Sequence, residues 1–438
     1  MNAGASGYEG YSDAPLTRDY ASSSVLKHSL RQLNFHGMWP LPGSWRFHAF
    51  SATVFALGVG NFSQIALGVY SSWGDLQELT MAFSNTFTVF SGILKMTHFL
   101  RNHRRYCALV RLTDNLAALQ QTHCEVDDGM AAISRDSLKV AYRLPLAVYA
   151  YIALLCVIWF PMPLIVEPHS HKLPFIQLHY WINRTSFPVY ETSFLLQDIS
   201  SFFFIFISTG LDCFFAVIMV HVTLQLKLLV YRITDIRLRD ASTIADVSEV
   251  RHGYDDNEAH EAMYKELCLC IETHQKILGF VKYLESVMNP IALTQFVFSV
   301  LAACVTLFQE TYNPDISAVF KCASYLPTPG AQVFLYCWGA HNIMEQVLAS
   351  SATDCVPPLP SRQGEAVSAA AYNSSWFDAN ARFKRSMRIL MCRAQKPLLL
   401  TAGRMYPISR ATFVWLVNAS YKYYALLRQL HSRDSQRS

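Results

Sequence analysis

Residues 199–226 read ISSFFFIFISTGLDCFFAVIMVHVTLQL, 28 residues with a single formal charge, at Asp212. An α-helix rises 1.5 Å per residue, so this stretch exceeds the ~20 residues needed to cross the ~30 Å hydrocarbon core of a bilayer. Five similar windows flank it. They run between Arg46 and Asp75, from Leu79 to Leu100 around Lys95, between Arg143 and Glu167, between Glu285 and Glu310, and between Lys321 and Glu345. A seventh, Ala411 to Leu427, holds Lys422 and is too polar to face lipid on every side. Its Phe413, Trp415, Leu416, Val417, Tyr421, Tyr423, Tyr424 and Leu426 suit a helix half shielded by protein. The spacing predicts an all-α polytopic membrane protein with seven transmembrane helices.

Composition agrees. Of 438 residues 16% are charged, against roughly 25% in soluble domains, while 52% are hydrophobic and 13% aromatic. A net charge of +4 is too small to imply a nucleic-acid partner. Met1 to Asp19 lacks the apolar run of a signal peptide, so the N-terminus is expected to stay cytosolic. The basic residues then divide sharply. With the N-terminus inside, 27 Lys and Arg fall in cytoplasmic segments, against six outside: Lys172, Arg184, Lys422, Arg428, Arg433 and Arg437. Lys95, Lys321 and Arg410 are counted at or near helix ends. An odd number of spans puts the C-terminus outside.

The expected segments are a cytoplasmic N-terminus (1–46), six spans with cytoplasmic extensions at 227–285 (47–350), a cytoplasmic loop and helix (351–404), a last helix (405–430) and an extracellular tail (431–438). In the extensions, Met263, Leu267, Ile271, Leu278 and Val281 recur near helical period, so the fifth helix is expected to start well below the membrane. Trp376, Phe383, Met387 and Leu390 predict an amphipathic helix after Pro357-Pro358-Leu359-Pro360. Of the sequons at Asn61, Asn183, Asn373 and Asn418, only Asn183 falls in an outer loop; the inverted topology would expose Asn373 instead.

Chemistry requiring a motif is excluded. His260-Glu261 opens a zincin-like pattern, but Tyr264 stands where the second imidazole is needed, and Walker, dinucleotide and nucleophile-elbow patterns are missing. The 11 cysteines lack metal-ligand spacing, and the acidic tract around Asp246 to Glu261 lacks calcium spacing. No enzyme, cofactor or metal is expected.

The C-terminal text is specific: Tyr372, Trp376, Arg382-Phe383-Lys384-Arg385, Arg393-Ala394-Gln395-Lys396-Pro397-Leu398, Thr401-Ala402-Gly403, Pro407, Ser409, Phe413 and Ser420-Tyr421-Lys422-Tyr423-Tyr424-Ala425-Leu426-Leu427. In order and spacing it resembles the closing signature of the insect odorant receptor family, which the span count and total length also fit. The N-terminal two-thirds match in architecture alone. A gustatory receptor would end on a Thr-Tyr, apolar, Gln-Phe pattern, and the family's co-receptor has a longer second cytoplasmic segment. The resemblance implies an odorant-tuning subunit of a ligand-gated, non-selective cation channel in the plasma membrane of a sensory neuron. Such subunits form a tetramer with the co-receptor around a pore lined by the last helix, are joined through cytoplasmic helices, and bind a volatile odorant in the outer half of one subunit. The rivals are a seven-span G-protein-coupled or gustatory-type receptor and a transporter. Asn289-Pro290 is followed by Ile291-Ala292-Leu293, not a G-protein-coupled motif, and no internal repeat is visible.

A volatile offers little polarity, so its affinity is expected from apolar and aromatic burial with few hydrogen bonds. The candidates are Phe83, Phe87 and Phe90 on the second span, Ile152, Cys156 and Trp159 on the third, Phe203 and Phe206 on the fourth, and Ser324 and Tyr325 opening the sixth. Each alone is more often packing or lipid contact than ligand contact, and Tyr325 and Trp159 are the better candidates because a buried hydroxyl or indole N–H must find a partner. Pro327 and Pro329 are expected to bend the sixth helix. Lys422, Leu426, Gln429 and Arg433 share one helical face that either lines the pore, with Leu426 as the dewetting gate, or packs against a neighbour; a rotated helix would turn Tyr423 and Leu427 inward. Asp212 within an apolar span is either functional or paired with a backbone or basic group in the bundle interior.

Overall fold

The structure is a computed structural model. It describes residues 16–39, 45–71, 76–161, 164–165, 173, 189–246, 255–312, 323–346, 367, 371–372, 376, 379–394 and 399–435. Asn183, Asn373 and the 357–360 proline run lie outside these. Two short N-terminal helices, α1 (Arg18–Ser23) and α2 (Lys27–Phe35), precede the long helices α3 (Trp45–Ser71) and α4 (Leu76–Arg101). The chain continues through α5 (His103–Ala118), α6 (Gln121–Val126), α7 (Asp128–Trp159), α8 (Val189–Asp246), α9 (Asp255–Tyr312), α10 (Pro327–Gln346), α11 (Ala381–Ala394) and α12 (Arg410–Ser435). Each of the seven apolar windows falls on one long helix: α3, α4, α7, α8, α9, α10 and α12.

Helix starts follow from local chemistry. Thr17 caps α1 by accepting from the Tyr20 amide at 3.3 Å, and Asp127 caps α7 by accepting from Gly129 and Met130 at 2.7 and 3.1 Å. Pro327 and Pro329 stand in the first turn of α10, preceded by a separate helical turn at 323–325. Instead of lying within a continuous helix, Pro327 thus starts α10 after a break at residue 326: a first-turn proline gives up an N–H that has no helical partner.

The fourth window forms the axis of the bundle. Every residue from Ile207 to Leu226 is buried within the single chain, as expected of a helix apolar on all sides. Around it pack α3, α4, α7, α9 and α10. In contrast, α7 turns Leu154 and Val157 outward at 57% and 70% exposure, a surface for lipid. By length and composition, Trp45–Tyr70, Asp128–Trp159, Tyr190–Ile236 and His260–Gln309 are long and apolar enough to cross a membrane.

Both α8 and α9 have 58 residues, about 87 Å at 1.5 Å per residue, nearly three times the apolar thickness of a bilayer. The surplus forms the predicted extensions. Arg232 of α8 joins Glu266 of α9 through Nη2 at 2.6 Å and Nε at 3.1 Å, and Leu267, Leu278 and Val281 of the extension are buried. The amphipathic helix α11 docks on α9 with Phe383, Met387, Leu390 and Ala394 buried. A hairpin follows, pairing β1 (Thr401–Ala402) with β2 (Tyr406–Pro407) in antiparallel register. Gly403 at its tip has φ +63° and lies against Leu293 of α9, while Asn289 donates to the Thr401 hydroxyl at 3.1 Å. Part of the closing sequence signature is thus a docking hairpin that delivers the chain from α11 to α12.

Candidate functional site

A cleft of about 320 Å³, mouth included, opens between four helices. Phe87, Thr88 and Ser91 enter it from α4, and Gln295, Phe298, Ser299 and Ala302 from α9. Tyr325, Thr328, Pro329 and Gln332 come from the start of α10 and the turn before it, and Ser208 comes from the central helix. Its enclosed part has room for about one water molecule, so a larger guest must displace side chains.

One wall is aromatic. Phe83 stacks on Phe87 with ring centroids 6.0 Å apart, and Phe298 meets Phe87 and Phe90 at 6.1 and 5.3 Å. At the mouth, Thr88 and the Tyr325 hydroxyl are hydrogen-bonded, and the Trp159 indole donates to Ser324 Oγ at 2.9 Å with its ring 6.4 Å from that of Tyr325. Of the ten candidates read from the sequence, Phe87 and Tyr325 line the cleft. Phe83, Trp159 and Ser324 adjoin these two, and Phe90 adjoins Phe298 of the same wall.

The other four lie elsewhere. Ile152, Cys156 and Phe206 form a separate apolar cluster between α7 and α8, with Tyr149 stacked on Phe206 at 5.8 Å. Phe203 faces Phe50 of α3 and His36. These side chains carry the packing of the bundle.

The floor is more polar than expected. Gln295 Nε2 donates to Ser299 Oγ at 2.7 Å and to Gln332 Oε1 at 2.8 Å, and Ser91 donates to Gln295 Oε1 at 3.5 Å. Below Ser208 lies Asp212, whose oxygens accept from Lys95 Nζ at 2.7 and 2.8 Å and from the Tyr336 hydroxyl at 2.7 Å. Lys95 also donates to Ser208 Oγ at 3.1 Å. Lys95 and Asp212 are each 1% exposed, so Lys95, counted with the helix-end charges, is an interior residue. Burial of one charge required the other, and α4 and α8 bring them together. Sequence reasoning singled out Asp212 but missed Ser208, Gln295, Phe298 and Gln332; uncharged polar residues inside the apolar windows were the available signal.

On α12, Lys422, Leu426 and Gln429 are all exposed on the single chain, Leu426 at 52%. Nothing is described of the Arg433 side chain. Val414, Trp415, Val417, Tyr421, Tyr423 and Leu430 are exposed as well.

The sequence pattern of the family described as 7tm Odorant receptor matches residues 75–351 and 361–421. The chain belongs to the insect odorant receptor family. It is 23% identical over 370 residues to odorant receptor Or2 of Anopheles gambiae, covering 84% of this chain and 88% of that one. It is 22% identical over 362 residues to odorant receptor 10 of Aedes albopictus, covering 82% and 87%. Its fold is similar to that of the insect olfactory receptor OR5 from Machilis hrabei, with a TM-score of 0.72 at 20% identity over 92% of this chain and 97% of that one. The same receptor in complex with eugenol gives 0.71 at 19% identity. The odorant receptor is thus a multi-pass, all-α, seven-span membrane protein of a receptor and ligand-gated cation-channel family. The G-protein-coupled alternative falls with that assignment.

Proposed function

We propose that this odorant receptor is the tuning subunit of a heteromeric cation channel in the plasma membrane, with its N-terminus in the cytoplasm and co-receptor subunits as partners. A volatile odorant enters the cleft between α4, α8, α9 and α10 and opens a pore lined by α12. The observation that carries this reading is the cleft itself: two aromatic candidates, Phe87 and Tyr325, converge there with Phe298 on a site walled by four helices. Because its enclosed part holds about one water, ligand entry must move side chains such as Tyr325. That motion has a route outward, since Tyr325 precedes α10, and α10 packs against both the central helix and α12.

Association suits the surface of α12. A helix with this many exposed apolar side chains needs a neighbouring subunit or lipid over it. The extensions of α8 and α9 with α11 are the proposed cytoplasmic anchor.

The test is whole-cell current from cells expressing the chain with and without an insect odorant co-receptor, under a panel of small volatile aromatics and heterocycles, with nucleotide signalling blocked. Rapid inward current confined to co-expressing cells, and altered by Tyr325→Ala or Phe87→Ala, is expected. Current that disappears when G-protein signalling is blocked overturns the ionotropic mechanism. Responses indifferent to both substitutions overturn the assignment of the cleft.

A further inference from the structure

The hydrogen-bond inventory of the cleft floor is unbalanced. Lys95 Nζ uses its three donors on Asp212 Oδ1, Asp212 Oδ2 and Ser208 Oγ. Ser208 is therefore an acceptor from an ammonium group. Its own proton has no acceptor among the described residues, although the residue is only 7% exposed and lines the cleft. Ser299 repeats the pattern: it accepts from Gln295 at 2.7 Å, lines the cleft and passes its proton to no described group.

The acceptor oxygens of the floor each already take a donor. Asp212 takes Lys95 and Tyr336, Gln295 Oε1 takes Ser91, and Gln332 Oε1 takes Gln295. A guest bearing a lone pair thus finds O–H donors that no described group takes up, whereas a guest's N–H would have to share an oxygen that already accepts a hydrogen bond. The Ser208 donor is also strengthened. A hydroxyl that accepts from a cation is polarised and donates more strongly, and low dielectric around the buried pair enhances the effect.

We propose that Ser208, polarised by the Lys95–Asp212 pair, is the specificity-determining donor of this receptor, selecting volatiles that carry a hydrogen-bond acceptor such as a ketone, aldehyde, ester or ring nitrogen over hydrocarbons of the same shape. The ligand interacts with Ser208; Lys95, Asp212 and Tyr336 are positioning residues. This rests on the cleft being the odorant site. It explains why an ion pair and an amide relay stand beneath a cavity whose guests are expected to be mostly apolar: each fixes the direction of a hydroxyl.

The experiment uses matched probes on the full receptor co-expressed with an odorant co-receptor. Acetophenone is compared with α-methylstyrene and 2-heptanone with 2-methyl-1-heptene, each pair exchanging C=O for C=CH2, within a wider panel of such pairs. In the native receptor the carbonyl members are expected to activate at concentrations about tenfold lower, the upper end of the net worth of one neutral hydrogen bond. Ser208→Ala should bring the two members of a responding pair together by raising the half-maximal concentration of the carbonyl member alone, and Ser208→Thr, which keeps the hydroxyl, should restore the gap. Equal potency within pairs, an equal shift of both members in Ser208→Ala, or silence toward every acceptor-bearing member despite surface expression overturns the proposal. Phe298→Ala separates the two layers of inference. If it weakens both members of a pair while Ser208→Ala leaves their ratio unchanged, the cleft stands and the serine assignment falls. If Phe298→Ala changes no response, the cleft assignment itself has failed.

Discussion

Replacing Asp212 by alanine would strand the Lys95 ammonium in the centre of the bundle, where it is 1% exposed. Removing one partner of a buried ion pair costs about 3–5 kcal/mol, a large part of a net stability of about 5–15 kcal/mol. Asp212→Ala is therefore expected to lose receptor from the cell surface, as read by surface biotinylation. Lys95→Met combined with Asp212→Leu, which removes both charges at similar volume, should recover much of it. Normal trafficking of Asp212→Ala with altered ion selectivity would place Asp212 in the pore instead. A second carboxylate acts outside the membrane. Asp114 of α5 accepts from Ser24 Oγ at 2.9 Å and the Val25 amide at 3.0 Å, tying down the segment between α1 and α2. Burial pushes its pKa above the ordinary 3.8, and the hydrogen bonds from Val25 and Ser24 only partly offset this. Folding thus favours the protonated acid, so the stability that buried Asp114 contributes is greatest below pH 3.8 and falls as pH rises to the raised pKa, even though its hydrogen bonds from Ser24 and Val25 strengthen on ionisation. Hydrogen exchange over residues 18–35, corrected for intrinsic rates, should speed up across that window, and Asp114→Asn, which keeps an acceptor, should abolish the dependence. The residue scale also bounds what the sequence could disclose. Asp212 stands out because an acid in an apolar run is costly, but pairing it with Lys95 requires the rotation of two helices. Ser208 and Gln295 carry no such mark, since uncharged polar residues are ordinary in membrane helices.

At the scale of elements, the hairpin between α11 and α12 is the most sharply specified feature. Gly403 adopts φ +63°, and a Cβ there would come within 2.8 Å of Leu293 Cδ2. Gly403→Ala should destabilise the docked hairpin by about 1–3 kcal/mol through the left-handed backbone and the contact together. The expected signs are a lower Tm of the purified receptor and smaller odorant currents at equal surface expression. Adding Leu293→Ala should recover only the steric part; full recovery would mean that backbone conformation contributes nothing. The helices themselves were largely legible. Charge-free windows locate membrane depth, and the periodicity of Met263, Leu267, Ile271, Leu278 and Val281 carries α9 beyond its window because the extension also buries one face. What the windows do not mark is a helix end: α8 runs from Val189 to Asp246, far past Leu226, with Ile233 buried in the core and Arg232 paired with Glu266 of the α9 extension. The two prolines ahead of Thr328 and Gly330 misled for a positional reason, since the same residue kinks a helix interior and starts a helix end.

Over the whole molecule, two properties depend on context that a single chain does not contain: the direction in which it crosses the membrane and the neighbours that cover α12. The excess of Lys and Arg in the segments assigned to the cytoplasm predicts glycan at Asn183 and none at Asn373. Glycopeptide mapping with Asn183→Gln and Asn373→Gln decides it, and a glycan at Asn373 would invert the topology. Assembly is argued from α12. Leu426 is 52% exposed between Lys422 and Gln429, whose polar groups make lipid a costly cover for this face, so the face requires either a pore or a partner. A ring of leucines that gates by dewetting loses its barrier when made polar. Leu426→Ser is therefore expected to raise the current that co-expressing cells carry without odorant, with the increase blocked by a pore blocker and absent from cells lacking the co-receptor. If the face instead packs against a neighbouring helix, the same change buries a hydroxyl in place of apolar contact and lowers the yield of assembled channel without any standing current. The two outcomes differ in sign at the membrane, so one substitution fixes the rotation of the last helix.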